Sequence, residues 1–239
     1  MNSTIKRTLT QLRLGAAILR TTGTKVFVQR WLYFCGSHFF NYQTFYVYRV
    51  KLDKPLSFQL PSAAIECKLL EKTNDFASLV KEGYDFGPFV VRDDNRLEQG
   101  ALSLCFFQNK IISHIAWIAL DQRAKESLAD FPFPVVFEHS EAYLGRLARN
   151  PKLKRPTFSA VVIFFKALEL LQGMGKKGCN FIVRQNNIIP QLGLAKRADI
   201  RPCASASYLK ILWWHWWWEK PLKNQPKAIL RHRKSLQCI

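Results

Sequence analysis

Apolar residues recur along this chain with two different periods, and together they predict a chain built from both strands and helices. Apolar runs rich in aromatic and β-branched residues predict strands at 44–50, 65–70, 100–107, 111–120, 141–149, 179–184 and 208–214. Apolar residues at helical spacing predict helices at 5–20, 74–83, 158–173 and 187–197. The polar residues Gln108, Asn109 and Lys110 separate two of the strands, which predicts a hairpin. The polar, proline-containing stretch 121–136 is interpreted as an insertion.

The predicted helix at 5–20 is amphipathic and basic, because Ile5, Leu9 and Leu12 begin an apolar stripe between lysines and arginines. Three interpretations stay open: a surface helix on the domain, a helix lying on a membrane, and an organellar targeting segment. The chain has no run of about 18 uncharged apolar residues, so we predict no transmembrane helix. We expect an N-terminal extension at 1–42, a domain at 43–218 and a basic tail at 219–239, in a cytoplasmic protein.

Composition excludes two classes of protein and suggests a class of partner. With 48% hydrophobic and 13% aromatic residues, the chain can bury a core, so it is neither mainly disordered nor a disulfide-stapled mini-protein. Its 36 Lys and Arg exceed its 17 Asp and Glu, which gives a net charge of +19. Such a charge predicts nucleic acid, an acidic carrier protein, phosphate groups or a membrane surface as partner. The six cysteines are widely spaced, so we predict reduced thiols and no metal site.

The basic loop at 150–156 is the first candidate for chemistry, because it lies between a predicted strand and a predicted helix. The first N–H groups of a helix have no internal partner and favour an anion. Lys152, Lys154 and Arg155 add full charges, and the hydroxyls of Thr157 and Ser159 can donate to phosphate oxygens. A phosphate site and a solvated basic turn are both compatible with this spacing.

Residues 100–212 resemble the GNAT acyltransferase superfamily. The stretch Asn150-Pro151-Lys152-Leu153-Lys154 looks like the approach to the family's pyrophosphate loop, whose pattern is [Q/R]-x-x-G-x-[G/A]. The strand FIVR, the pair Asn186-Asn187 and the following LGLAKRADIR look like the family's next strand and Asn-started helix. The resemblance implies an α+β fold with a mixed, mostly antiparallel central sheet flanked by helices.

This chain departs from the family pattern at several positions. Lys154, Thr157 and Ser159 stand where Gln or Arg, Gly, and Gly or Ala are usual. Leu194 occupies the position of a frequent tyrosine that serves as general acid, and Ala198 and Asp199 replace a Gly-Phe pair. A catalytically inactive relative that binds a nucleotide-like ligand or a lipid therefore stays an alternative.

The resemblance implies an enzyme that transfers an acyl group from acyl-CoA or acetyl-CoA, or from an acyl-carrier protein, to an amine by direct attack. The central strand around Leu147, Ala148 and Arg149 would supply backbone N–H groups to the thioester carbonyl. The remaining residues implied in cofactor binding are Lys154, Arg155, Thr157, Phe158, Ser159 and Asn187. No metal is implied.

A base and an acid are also needed, and the sequence offers several candidates for them. Glu138 and Glu141 flank the start of the central strand, and His114 lies in the second strand of the hairpin. Tyr208, at the start of the last predicted strand, is a candidate for the general acid that Leu194 cannot supply. Each of these residues can equally be an ordinary surface or hydrogen-bonded side chain.

A block of five tryptophans interrupted by His215, at 213–218, does not fit the alternation of a half-buried strand. One interpretation is that the indoles fill a large core against the N-terminal helix. A second is contact with a membrane interface, where indoles and cations meet anionic lipid. A third is stacking on nucleic acid beside a basic groove, which we consider less supported because no nucleic-acid motif is present.

Overall fold

A computed structural model of the chain describes residues 40–53, 65–87, 94–129, 131–153, 160–198 and 200–222. The predicted helix at 5–20 and most of the basic tail lie outside these residues. The described residues fall into two compact units, one of 44–207 with 217–222 and a smaller one of 40–43 with 208–216.

The described part of the chain contains eight strands in one sheet. They are β1 (Phe40–Lys51), β2 (Ile65–Leu70), β3 (Leu102–Gln108), β4 (Ile111–Ala119), β5 (Glu141–Arg149), β6 (Gly178–Arg184), β7 (Ala204–Ile211) and β8 (Trp214–Pro221). The strand order is β2-β3-β4-β5-β6-β1-β7-β8. β5 and β6 pair in parallel, whereas the pairs β2–β3, β3–β4, β4–β5 and β1–β6 are antiparallel.

Five α-helices occur within the described residues, and they flank the sheet as expected. They are α1 (Thr73–Lys81), α2 (Asp94–Glu98), α3 (Gln122–Leu128), α4 (Ala160–Gly173) and α5 (Ile188–Ala198), with a 3₁₀ turn at Phe137–His139. α4 connects the parallel strands β5 and β6, which need a long crossover because a tight turn cannot join them. The predicted mixed α+β fold with a mostly antiparallel sheet is confirmed.

The predicted hairpin is confirmed, and two other expectations are corrected. Asn109 and Lys110 both have positive φ angles, of 50° and 61°, which is the conformation of a two-residue turn between twisted strands. The stretch 121–136 is not a plain insertion, since it contains α3, whose first turn is capped by Asp121 through the N–H of Ala124 at 2.8 Å. The last strand, predicted at 208–214, ends at Ile211 instead, and the tryptophans from Trp214 onward belong to a separate strand, β8.

The core lies between one face of the sheet and α4. Leu104, Phe106, Ala116, Ile118 and Leu144 from the sheet are buried with Ile163, Ala167, Leu168 and Leu171 from α4. The rings of Tyr48 on β1 and Phe181 on β6 stack at 4.8 Å, and Phe164 of α4 lies edge-on to Phe181 at the same distance. Over its described residues, the helix predicted at 158–173 therefore packs an apolar face on the sheet, although Phe165, a member of the predicted stripe, does not belong to this core cluster.

The approach of α5 to α4 depends on Gly193, because a Cβ atom there would lie 2.6 Å from Cγ2 of Val161. We predict that Gly193→Ala lowers the free energy of unfolding by about 1–3 kcal/mol through overpacking. In a Val161→Ala background the clashing methyl is gone, so the same substitution should cost much less. Chemical denaturation of the four proteins of this double-mutant cycle measures the difference.

Gly173→Ala is the matched control, since no atom lies within 4 Å of a Cβ at Gly173. This substitution should be neutral or stabilising by up to about 1 kcal/mol, the helix preference of Ala over Gly. Equal losses for Gly193→Ala in both backgrounds would show that the contact with Val161 is not the cause.

Candidate functional site

The two parallel strands at the centre of the sheet separate after a short paired stretch. β5 and β6 pair only from Glu141 to Tyr143, opposite Gly178 to Asn180. β5 nevertheless continues to Arg149 and β6 to Arg184. Beyond the pairing, the facing edges of the two strands have no mutual ladder of hydrogen bonds. Backbone groups at such an edge need another partner, and a ligand with amide or carbonyl groups can provide it.

The pairing of the two strands ends at a hydrogen-bonded cluster. The carboxylate of Glu141 accepts a hydrogen bond from the side-chain amide of Asn180 at 2.7 Å and from the backbone N–H of Val136 at 3.0 Å. Asn180 is 2% exposed, so its amide needs this partner. The cluster holds β5, β6 and the loop before β5 together at the closed end of the opening.

A β-bulge changes the direction of β5 next to the opening. Ile115 pairs with Ala148 and Trp117 with Gly145, so Arg146 and Leu147 together face the single residue Ala116. Arg146 has a φ of 44°, a left-handed conformation that is uncommon for a residue with a side chain. Bulges re-aim the groups of a strand and are frequent beside functional sites. The side chain of Arg146 is fixed by its Nε, which donates to the carbonyl oxygen of Leu128 at 2.6 Å.

Gly145 leaves room for the ring of Tyr143. A Cβ atom at Gly145 would lie 2.7 Å from a ring carbon of Tyr143, which is closer than real Cβ contacts. The Tyr143 ring also lies 5.9 Å from the ring of Phe133. Burial raises the pKa of the Tyr143 phenol above its usual value, so the phenol stays protonated and can donate a hydrogen bond at neutral pH.

A cavity of about 580 Å³ occupies the opening between β5 and β6. It is lined by Phe45, Leu128, Ala129, Phe131, Tyr143, Leu144, Gly145, Arg146, Leu147, Val161, Phe164, Phe181, Ile182, Val183, Arg184, Asn187, Pro190 and Leu194. The volume falls in the range of small-molecule sites, which are mostly apolar with a few polar groups. Among these lining residues the ionisable groups are Tyr143, Arg146 and Arg184, so the wall carries positive charge and no carboxylate.

The structure brings together some of the residues implied in cofactor binding. Leu147 and Asn187 both line the cavity. Ala148 and Arg149 follow on β5, and Arg149 donates to the carbonyl oxygen of Leu153 at 2.8 Å. Lys154, Arg155, Thr157, Phe158 and Ser159 lie outside the described residues.

The start of the basic loop is anchored by Asn150. Its backbone N–H donates to the oxygen of Ser113, and its side-chain amide donates to the oxygen of Ile112, both at 2.8 Å. Its side-chain oxygen accepts from the N–H of Lys152 at 2.9 Å. The chain therefore leaves β5 in a fixed direction towards the loop that precedes α4.

The four predicted catalytic residues are not among the residues that line the cavity. Glu141 lies at the closed end of the opening, and Glu138 is exposed on the 3₁₀ turn. His114 is 1% exposed on β4. Tyr208 belongs to the smaller unit, where its hydroxyl lies 2.7 Å from Nδ1 of His215. Their catalytic roles stay predictions.

Several cavity residues were not predicted from the sequence. Tyr143 and Gly145 belong to the predicted central strand, and Phe131 belongs to the stretch interpreted as an insertion. A glycine inside a strand pattern is a signal for a bulge or a close approach, and Gly145 carried that signal. The sequence gives no such signal for Arg146 and Arg184, because only the fold brings these two residues to one cavity.

Within the described residues no group of three or more His, Cys, Asp or Glu is arranged to hold a metal ion. None of the helices in the described ranges is long and apolar enough to cross a membrane.

No protein-family model matches the chain, and no curated protein matches its sequence. Solved structures of similar fold include a Drosophila melanogaster protein with 13% identity and a TM-score of 0.45, covering 78% of this chain and 58% of the other. A GCN5-related N-acetyltransferase from Sphaerobacter thermophilus has 12% identity and a TM-score of 0.44, covering 83% of this chain and 58% of the other. A functionally unknown conserved protein from Staphylococcus epidermidis has 11% identity and a TM-score of 0.40, covering 79% and 68%.

This chain thus spans 58% of the length of the Drosophila and Sphaerobacter proteins. Because all three TM-scores are below 0.5 and all three identities are far below 25%, the similarities do not carry a functional conclusion.

His114 gives a testable pH dependence of stability. Burial, and then the nearby Arg149 cation, lower its pKa from 6.5 to about 4. Between these values the unfolded chain binds a proton that the folded chain does not, so the free energy of unfolding falls as the pH drops from 6.5 towards 4. We predict a loss of about 3 kcal/mol from this group at the lower end of the window.

Urea denaturation across this pH range, in the wild type and in His114→Gln, measures the contribution. The other titrating groups are common to both proteins, so the difference between the two curves isolates His114. Parallel curves would show that His114 titrates alike in the folded and unfolded chain.

Proposed function

We propose that the protein is an N-acyltransferase and that the cavity between β5 and β6 binds the thioester arm of an acyl-CoA. One observation supports the proposal: the parallel strands β5 and β6 separate beside a β-bulge, and the cavity occupies the opening between them. An extended arm with two amides can pair with the open strand edges as a missing strand would. The remaining cavity volume then holds the acyl group and the attacking amine.

The reaction is a direct transfer in which the amine nitrogen attacks the thioester carbonyl carbon and the carbon–sulfur bond breaks. The nitrogen loses a proton, the sulfur leaves as a thiolate that is protonated, and the products are an amide and free coenzyme A. Backbone N–H groups of the bulge at Arg146 and Leu147 would stabilise the negative charge on the carbonyl oxygen, an effect worth about 10²–10³ in rate per donor.

The cavity offers fewer candidate groups for proton transfer than for stabilising the negative charge on the carbonyl oxygen. The protonated phenol of Tyr143 is a candidate donor to the departing thiolate, in place of the tyrosine that the family resemblance would put at Leu194. No Asp, Glu or His belongs to the described lining, so we propose that water removes the proton of the amine, or that Glu141 removes it through water.

The phosphates of the cofactor would bind before α4. The anchored exit of β5 at Asn150 and the basic residues Lys152, Lys154 and Arg155 support an anion site at the start of this 14-residue helix. The alternative on the same fold is a binding protein without catalysis, which would hold acyl-CoA and release no thiol.

Filling the cavity tests the proposal. Val183 lines it and is half-buried, so Val183→Trp should block the arm and weaken acyl-CoA binding at least tenfold, about 1.4 kcal/mol. Isothermal calorimetry with acetyl-CoA and with octanoyl-CoA measures binding. Release of free thiol in the presence of an amine measures turnover and separates the enzyme from the binding protein.

Val80→Trp is the matched control, because Val80 is exposed on α1 and does not line the cavity. It should leave the affinity unchanged. A Val183→Trp protein that folds and binds acyl-CoA as tightly as Val80→Trp would reject the cavity as the thioester site.

We propose further that the protein acts at a membrane surface, on the evidence of the β7–β8 hairpin tip, residues 211–216. All six of these residues are exposed, with Trp213 at 71%, Trp214 at 62% and Trp216 at 40%. Leu212 turns the chain with a φ of 55°, and the Tyr208–His215 hydrogen bond joins the two strands. Contiguous exposed apolar residues are unusual on a monomeric protein and mark contact surfaces.

A membrane suits this tip better than a folded partner does. Indole rings are favoured at the depth of lipid headgroups, and a net charge of +19 favours anionic lipid. Nucleic acid is the competing anionic partner, since exposed indoles can stack on bases.

We predict that replacing Trp213, Trp214 and Trp216 by Ala lowers cosedimentation with vesicles of phosphatidylglycerol and phosphatidylcholine at least tenfold. The matched control replaces the exposed Ile189 and Val80 by Ala, which removes apolar surface elsewhere and should change little. Full retention of vesicle binding by the folded triple variant would remove the membrane proposal. Steeply salt-dependent binding to RNA or DNA without vesicle binding would replace it with the nucleic-acid alternative.

A further inference from the structure

The cavity has two chemically different sides, which follow from the register of its strands. Phe181 stacks on Tyr48 and contacts Phe164 of α4, so its side chain lies on the α4 face of the sheet. Arg184 is three residues further along β6, and successive side chains of a strand alternate between faces. Arg184 therefore lies on the opposite face, and so does Phe45, which pairs with it across β1 and β6.

The side facing α4 and α5 is aliphatic and aromatic without charge. Leu144, Val161, Phe164, Pro190 and Leu194 line it. It also adjoins the start of α4, where the proposal above puts the phosphates of the cofactor. The acyl-CoA arm would enter from this side, which leaves the opposite side for the second substrate.

The opposite side has a wall of aromatic rings that support one another. Phe45 and Phe131, which both line the cavity, meet edge to face with centroids 4.9 Å apart. Trp217 backs the wall, with its ring 5.7 Å from Phe45 and 5.5 Å from the fully buried Phe133. Tyr143 completes it through its contact with Phe133. Rings fixed in this way form a firm surface for a flat or apolar group.

Two guanidinium groups accompany this wall. Arg146 is held by its Nε on the oxygen of Leu128, which leaves its terminal nitrogens for other partners. The backbone oxygen of Arg184 accepts from the side-chain amide of Gln191 at 3.0 Å, and Gln191 is itself buried. This contact fixes the end of β6 and the direction from which the Arg184 side chain extends. Within the described residues Arg184 forms no ion pair.

We infer that this side binds the amine acceptor, and that the acceptor carries an aromatic or bulky apolar group together with a carboxylate or phosphate. The inference rests on the proposed acyl transfer. A protonated amine alone is repelled by two guanidinium groups, and no described lining residue offers a carboxylate to compensate. An anionic group on the same molecule turns this repulsion into attraction, because arginine binds carboxylate and phosphate with two parallel hydrogen bonds. Polyamines and lysine-rich peptides are disfavoured for the same reason.

The test compares L-phenylalanine with phenethylamine, two amines that share the ring and differ in the carboxylate. Calorimetry on the full chain saturated with coenzyme A should give phenylalanine at least tenfold the affinity of phenethylamine. Arg184→Gln should bring the two affinities to within about twofold. Arg184→Lys keeps the charge but loses the planar guanidinium that forms two parallel hydrogen bonds, so it should retain part of the preference. L-alanine, which lacks the ring, should bind at least tenfold more weakly than phenylalanine.

Arg123→Gln is the matched control, since Arg123 is an exposed arginine on α3 that bonds Gln99 and does not line the cavity. It should leave the preference for phenylalanine unchanged. Equal affinities for the two amines in the wild type, or no binding of either, would overturn the inference. So would a preference that survives Arg184→Gln.

The anionic group could instead belong to the acyl group, and a second pair of probes separates the two sources. Succinyl-CoA and butyryl-CoA differ in a terminal carboxylate, and the inference expects Arg184→Gln to affect both alike. An Arg184-dependent preference for succinyl-CoA, without one for phenylalanine, would overturn it. Failure of every acyl-CoA to bind would reject the proposed acyl transfer itself, whereas normal acyl-CoA binding with equal amine affinities would reject the acceptor class alone.

Discussion

The separation of β5 from β6 is the constraint on which the candidate site depends. Parallel strands normally stay paired along their common length, because each unpaired edge leaves backbone donors and acceptors unsatisfied. Here the pairing ends where Glu141 and Asn180 hold the two strands together. Beyond this point β5 continues through the bulge at Arg146 and Leu147, which interrupts its register with β4. The opening therefore begins at the Glu141–Asn180 hydrogen bond and lies beside the bulged half of β5.

The helices keep this opening in place from one side. α4 packs on the sheet through a continuous apolar face, and α5 approaches α4 as closely as Gly193 allows. α4 also joins β5 to β6, and its residues Val161 and Phe164 line the cavity between these strands. The same helix thus serves the core and the cavity, and a change in its packing would be transmitted to both.

Much of the fold could be predicted from the sequence, because local periodicity decides it. The strand at 65–70 and the β3–β4 hairpin have clear patterns, and the apolar stripe of α4 is unambiguous. α3 was missed because its residues are polar and prolines follow it, although Asp121 was available as a cap. β8 was missed because the tryptophans show no alternation and because the turn before it is made by Leu212, whose side chain disfavours a positive φ.

The candidate site was less accessible to sequence reasoning than the fold. A loss of strand pairing leaves no local signature in the sequence, so residue patterns alone do not predict the opening between β5 and β6. Arg146 and Arg184 become neighbours of one cavity only through the parallel arrangement of β5 and β6. For Glu141 the sequence suggested a role that the structure does not show. Its position before the central strand suggested a base, but its carboxylate accepts hydrogen bonds from Asn180 and Val136.

The position of β1 has a consequence for how the chain is made. This strand is synthesised first among the eight, yet it lies between β6 and β7, and its contacts with β6 join residues about 140 positions apart. During synthesis both edges of β1 stay open until β6 and β7 have emerged from the ribosome. Strands in that state associate readily with other chains. Because the cavity wall combines Phe45 of β1 with residues as late as Leu194, a nascent chain cannot form this cavity before α5 has been synthesised.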